Sequence, residues 1–206
     1  WRNIMSKGLK TVLIIAAVLL VLVFSVYRFF AGNYNSMVQL DESVKGQWGQ
    51  VQNVYQRRLD LIPNLVATVK GYASHEQSVF AQVTEARSRA GGVMNISDEV
   101  LNDPEAFSRF QQAQSELGGA LQRLLMITEN YPDLKANTNF LALQDQLEGT
   151  ENRITVERKR YNDVVQNYNI FIKQFPRIFI ANMYGFREKP YFAADAGAER
   201  APTVEF

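Results

Sequence analysis

The sequence predicts an all-α protein: one N-terminal transmembrane helix followed by an elongated antiparallel bundle of three to four long helices. Three observations carry this expectation. Apolar residues recur at steps of three and four through most of the chain, no segment sustains the two-residue alternation of a half-buried strand, and prolines at 63, 104, 132 and 176 punctuate the helical patterns. Stripes of that kind, joined by short turns, can bury their apolar faces only on one another.

The first element is the membrane segment. Val12 to Tyr27 carries no charge, and Leu9 to Phe30 is long enough to span if Lys10 and Arg28 reach to the two interfaces. Most of the uncharged run is Val, Leu, Ile or Phe, which favours insertion by roughly 3 to 7 kcal/mol. Tyr27, Phe29, Phe30 and Tyr34 form an aromatic group at the exit, where rings sit well among headgroups. A cleaved signal peptide shares the basic start, but this core is longer and no A-x-A site follows it. The lipid bilayer, through Val12 to Tyr27, is therefore the first expected partner. Arg2, Lys7 and Lys10 precede the span against Arg28 after it, so the N-terminus is expected in the cytoplasm and the body on the extracytoplasmic side of the inner membrane.

Residues 32–192 are expected to form the bundle. Met37, Leu40, Val44, Trp48, Val51, Tyr55, Leu59 and Ile62 make the first stripe, which follows the span without an intervening proline and is able to continue from it as one rod. Pro63 marks either a kink or a junction, with Val66, Val69, Tyr72, Val79, Val83 and Ala86 on the next stripe. Gly91-Gly92 are expected to end that helix, and residues 91–104 to form a loop closed by an Asp103 N-cap with Pro104 at the first helical position. Phe107, Phe110, Gln114, Leu117, Leu121, Leu124 and Thr128 form a heptad seam. The fourth helix runs from about Asn139 to Phe175, and a short apolar helix after Arg177 stops at Gly185. Residues 193–206 read as a disordered tail.

Composition narrows the chemistry. The net charge of +1 sums two unlike regions: residues 1–31 hold four basic residues and no acidic one, whereas the remainder holds 18 basic and 21 acidic residues, a net of −3. A body of that sign does not read as a nucleic-acid surface. No cysteine and one histidine leave no disulfide, thiolate site or paired imidazoles. His75-Glu76 lacks the second histidine of HExxH, because Val79 occupies that place, and neither Gly91-Gly92 nor Gly118-Gly119 belongs to a phosphate-binding loop. His75 reads as a polar helix-surface residue, and the second glycine pair as a site of close helix contact. Glu129, Asp133, Asp145, Glu148, Glu151 and Glu157 form an acidic series interleaved with Lys135, Arg153, Arg158, Lys159 and Arg160, which reads as a solvated face. No catalytic residue, cofactor or metal is expected. Arg58, Asp60, Glu151 and Arg158 lie on or beside the stripes and are expected to form a polar network that sets helix register. A sequon, Asn95-Ile96-Ser97, sits in the expected loop.

The segments RRLDLIPNLV at 57–66, YPDLKAN at 131–137 and GFREKPYF at 185–192, within a match covering nearly the whole chain beyond the span, closely resemble the LemA family of bacterial membrane proteins. The resemblance implies a single N-terminal span and an antiparallel helical domain, with no established enzymatic activity. It also implies association with envelope processes, as a companion of membrane proteases or assembly factors. The resulting expectation is a non-enzymatic scaffold or adaptor that meets an envelope protein or a second copy of itself. Its candidate contacts are the heptad seam and the aromatic end formed by Tyr184, Phe186, Tyr191 and Phe192. The alternatives are a hydrolase that uses a divalent ion held by the acidic series, and an oligomeric coat that remodels membranes.

Overall fold

Residues 7–94 and 98–193 are described by the structure, a computed structural model, and every regular element among them is helical. The sequon at 95–97 and residues 194–206 of the expected tail lie outside the described residues. The first helix, α1 (Lys7–Tyr72), is 66 residues long, or about 100 Å at 1.5 Å per residue. An 18-residue window near its start has a mean hydropathy of 2.8 and is not buried against protein at all. The hydroxyl of Ser25 in this stretch donates to the Val21 carbonyl at 2.8 Å, so it carries no unmet polar demand into an apolar surrounding. α1 continues through the expected boundary at residue 31 into the bundle without a break.

α2 (Gln77–Met94) returns along the distal part of α1, and α3 (Pro104–Thr128) runs outward again. A single turn of 3-10 helix (Asp98–Leu101) and the N-cap of α3 lie between them; the Asp103 side chain accepts from the Glu105 amide at 2.8 Å and Pro104 takes the first turn, as the sequence predicts. A short α4 (Pro132–Lys135) leads into α5 (Thr138–Lys173), which is capped by Asn137 and runs back along α1. α6 (Arg177–Tyr184) ends at Gly185, whose φ of +79° suits the left-handed cap that glycine adopts without strain.

The stripes read from the sequence are the core. All seven residues of the α3 seam are buried, as are Met37, Val44, Trp48, Val51, Tyr55, Leu59 and Ile62 of α1. Two clusters result. The proximal one gathers Trp48, Phe107, Phe110 and Tyr161 with ring centroids 5.1–5.7 Å apart around the tryptophan. The distal one packs Leu65, Val69, Val83, Leu121 and Leu124 between α1, α2 and α3. Burying each large aliphatic or aromatic side chain contributes about 1.5–3 kcal/mol. Because the heptad seam is spent on this core, it is not the external contact surface offered as one reading of it.

Three helix boundaries differ from expectation, each for an identifiable reason. Of the kink and the junction left open at Pro63, the structure shows no junction: Pro63 sits inside α1, as the one-helix alternative has it. Proline cannot donate to the carbonyl four residues back, here that of Leu59. Arg87 of α2 supplies the missing donor, its Nε lying 2.9 Å from the Leu59 oxygen. The turn falls instead at Ala73–Glu76, where exposed His75 lies in the turn and not on a helix surface. α2 likewise runs past Gly91-Gly92 to Met94; a Cβ at Gly91 would stand 3.8 Å from the Leu59 side chain, so this glycine lies against α1 beside the proline. Phe175, assigned to the α5 stripe, lies beyond the helix and is exposed.

The Leu59–Arg87 contact gives a double-mutant test. Arg87→Leu should destabilise the protein by about 1–3 kcal/mol by leaving the carbonyl unmet. In a Pro63→Ala background, where the helix supplies its own donor, the same substitution should cost clearly less, as read by urea unfolding; equal costs in both backgrounds would mean that Arg87 does not serve the proline break.

Candidate functional site

Midway along the bundle, α1, α3 and α5 leave a cleft of about 390 Å³ bordered by Arg58, Gln114, Ser115, Glu151, Thr155 and Arg158, among others. Arg58 points inward from the α1 stripe and is only 4% exposed. Its Nη1 donates to Glu151 at 3.0 Å, and its Nη2 donates to the Gln114 side-chain oxygen and, at 3.2 Å, to the Gln114 backbone carbonyl. The guanidinium also lies 5.0 Å from the Tyr55 ring centroid. Glu151 is half exposed, so the ion pair is worth only about 0–1 kcal/mol. The buried bonds to Gln114 matter more, because removing them strands a charged donor in the interior. The network thus joins α1 to α3 and α5 through one buried guanidinium.

Above α6 the chain turns at Gly185 and residues 186–193 return along α5 as an extended strap. Two asparagines on one face of α5 hold it by its backbone. Asn169 donates to the Lys189 carbonyl and accepts from its amide, both at 2.9 Å, and Asn162 does the same for Phe192 at 3.0 and 2.9 Å. The spacings agree: seven helical residues advance about 10.5 Å and three extended residues about 10 Å. Arg158 and Gln111 fix the end of the strap, bonding the Ala193 carbonyl at 2.7 Å and amide at 3.0 Å.

Lys189 lies under the strap with its side chain 5% exposed; its Nζ meets Asp41 at 2.9 Å and Asn102 at 2.7 Å, which ties α1, the α2–α3 connection and the strap together. Asp41 is also 3.0 Å from Lys45. Burial works to raise the Asp41 carboxyl, but the two ammonium groups outweigh it and hold it below its ordinary value of 3.8. Burial alone pushes the Tyr161 phenol well up from its usual range, and its hydroxyl donates to the Pro190 carbonyl at 3.2 Å.

The structure sorts the residues singled out from the sequence. Arg58 and Glu151 meet. Asp60 does not join them: two residues along a helix is a turn of about 200°, and Asp60 instead accepts from Gln56 on the exposed face at 2.7 Å. Arg158 borders the same cleft but serves the strap and lies 5.0 Å from the Phe192 ring centroid. Phe192, expected on a contact surface, is 6% exposed and belongs to the proximal aromatic cluster, because the asparagine clamps draw the strap back onto the bundle. Phe186 is half-buried against Tyr34, whereas Tyr184 and Tyr191 are exposed. Gly118-Gly119 border the cleft and do not make a close helix contact. The acidic series is dispersed: Glu129 pairs with Lys135, Glu157 with Arg160, and no group of three acidic or histidine side chains is placed to hold a metal ion among the described residues. Reading from sequence missed the clamps and Lys189; the available signal was the two-turn spacing of Asn162 and Asn169 opposite a Pro-containing extended segment.

The sequence model of the LemA family matches residues 47–206. The chain belongs to the LemA family. The match begins inside α1, within the proximal core, and takes in the clamps and the strap. Two magnetosome proteins of Paramagnetospirillum magneticum, MamQ 1 and MamQ 2, are each 27% identical to this LemA protein over 194 residues, covering 85% of this chain and 71% of theirs. MamQ of Magnetospirillum gryphiswaldense is 26% identical over 174 residues, covering 77% and 64%. Relatives of this kind and the apolar start of α1 together mark the LemA protein as membrane-associated.

A carboxyl lowered in the folded state adds stability that is complete above its unfolded value and is lost as pH falls through its folded value. Asp41→Asn should therefore be less stable than the parent near pH 7, and the gap should close as pH drops below the ordinary 3.8. Urea unfolding of both proteins across that range tests this; a gap that stays constant into acid would contradict it.

Proposed function

We propose that this LemA protein is a membrane-anchored helical scaffold of the bacterial cell envelope, acting through protein–protein contact and not through catalysis. The observation that carries the reading is the continuity of α1: the apolar segment and the central stripe of the bundle are one helix, so a membrane anchor would carry the body directly, with no flexible linker between them. A 66-residue rod suits a protein that holds a partner at a set height. The hydrolase reading needs the acidic series gathered around one ion, and among the described residues that series is dispersed.

The MamQ relatives carry magnetosome in their names, which agrees with work at a membrane. The excess of Arg2, Lys7 and Lys10 over Arg28 favours a cytoplasmic N-terminus and an extracytoplasmic bundle. Crosslinking in native membranes followed by gentle purification in mild detergent should yield a discrete complex of fixed stoichiometry, with a partner or with further copies of the chain. A strictly monomeric, uncrosslinked species would count against the scaffold, and a C-terminal reporter active only in the cytoplasm would reverse the orientation.

A further inference from the structure

The end of the bundle nearest the apolar segment carries an unusual surface. α5 descends α1 in antiparallel register: Glu151 meets Arg58, Tyr161 meets Trp48, and past the end of α5 the Arg177 Nε donates to Asn33 at 2.9 Å. α6 is thus held beside α1 at the level of Asn33, and Tyr184 packs on Tyr34 with centroids 4.7 Å apart. Asn33 is three residues beyond Phe30, a rise of about 5 Å. The headgroup layer on each side of a hydrocarbon core is itself about 5–8 Å deep. With Leu9 to Phe30 in the core, α6 lies at headgroup level.

The faces of α6 divide accordingly. Ile180 and Ala181 are buried in the proximal cluster with Met37 and Ile172, on the side towards the body of the bundle. Phe179 and Met183, one turn apart and on the opposite side, are 64% and 60% exposed, and Phe175 in the preceding turn is 81% exposed. At these exposures the side chains are largely uncovered by the rest of the described residues, and they lie off the face of α6 that enters the core. Arg177 occupies the boundary, its guanidinium 4.0 Å from the Phe171 ring centroid, in keeping with the basic and aromatic residues that favour membrane interfaces.

We propose that α6 and the 174–176 turn form a second membrane contact, an interfacial foot whose Phe175, Phe179 and Met183 enter the headgroup and acyl boundary of the bilayer that α1 crosses. A short helix lying in the interface with its apolar face down is the arrangement expected of amphipathic membrane helices. Contact at two points, the span and the foot, fixes both tilt and rotation of the bundle, which a lone span leaves free. The inference rests on the anchoring of α1 in the membrane.

The chain has no cysteine, so single nitroxide labels can be placed in the full-length protein without other changes. Labels at Phe179→Cys and Met183→Cys would be compared with Leu20→Cys in the apolar segment and Met126→Cys on the exposed far part of α3, in vesicles of phosphatidylethanolamine and phosphatidylglycerol. Relaxation by oxygen, which partitions into lipid, is read against relaxation by a water-soluble nickel chelate. The foot predicts oxygen-to-nickel ratios at 179 and 183 several-fold above that at 126 and below that at 20. Ratios at 179 and 183 equal to that at 126, with 20 in lipid, would overturn the foot and leave the anchor standing. A nickel-accessible label at 20 would overturn both. Shielding of 179 and 183 from both reagents would mean that protein covers this face, and would also overturn the proposal.

Discussion

Inside a bilayer every backbone amide has to be satisfied by its own chain or by neighbouring protein, and a helix does so within one segment. In this protein the helix that carries the apolar segment does not stop where the apolar residues do. α1 continues from the apolar segment to Tyr72, and its second half is the central column against which α2 and α5 pack. The direction of every later element follows from that column. α5 returns along it towards the apolar segment, which brings α6 to the aromatic residues at its exit.

Where the column or its neighbours leave a polar group unmet, a side chain from elsewhere meets it. Arg87 answers the carbonyl that Pro63 abandons, and Gln114 answers the buried guanidinium of Arg58. Asn162 and Asn169 satisfy a strap that has no sheet to join. These contacts are long-range and directional, so they set register where apolar packing alone tolerates sliding. Lys189 is the extreme case, a charged group carried into the interior and matched there by Asp41 and Asn102. Such an arrangement favours one relation of strap to bundle over all others, since moving the strap would strand the lysine.

Much of the fold was legible in the sequence because helix burial has a short period. The α1 and α3 stripes, the Asp103 cap and the Gly185 stop follow from local spacing and local backbone preference. Failures came where a distant residue changed a local rule. Pro63 leaves kink and junction both open because its donor partner lies far along the chain, in α2, and the turn at Ala73–Glu76 was missed because it contains neither proline nor glycine to mark it. Phe192 reads as surface because nothing near it in sequence shows that asparagines on another helix will bind its backbone. Of the polar network, the Arg58–Glu151 pair was legible from charge placed on apolar stripes; Asp60 was misassigned by ignoring its direction around the helix. The membrane-proximal aromatic surface was legible as composition, while its division into a buried and an exposed face needed the register of α5 on α1.

The central claim is that apolar segment and bundle form one stiff unit. Ser25 and Ser43 are both exposed on α1. They lie about five full turns apart and therefore share a face. Spin labels at Ser25→Cys and Ser43→Cys in the reconstituted full-length protein report their separation by dipolar spectroscopy. An unbroken helix predicts a single narrow distribution centred at about 27 Å between the backbones, broadened only by the label arms. A broad or shortened distribution would place a hinge between membrane and bundle and contradict the claim.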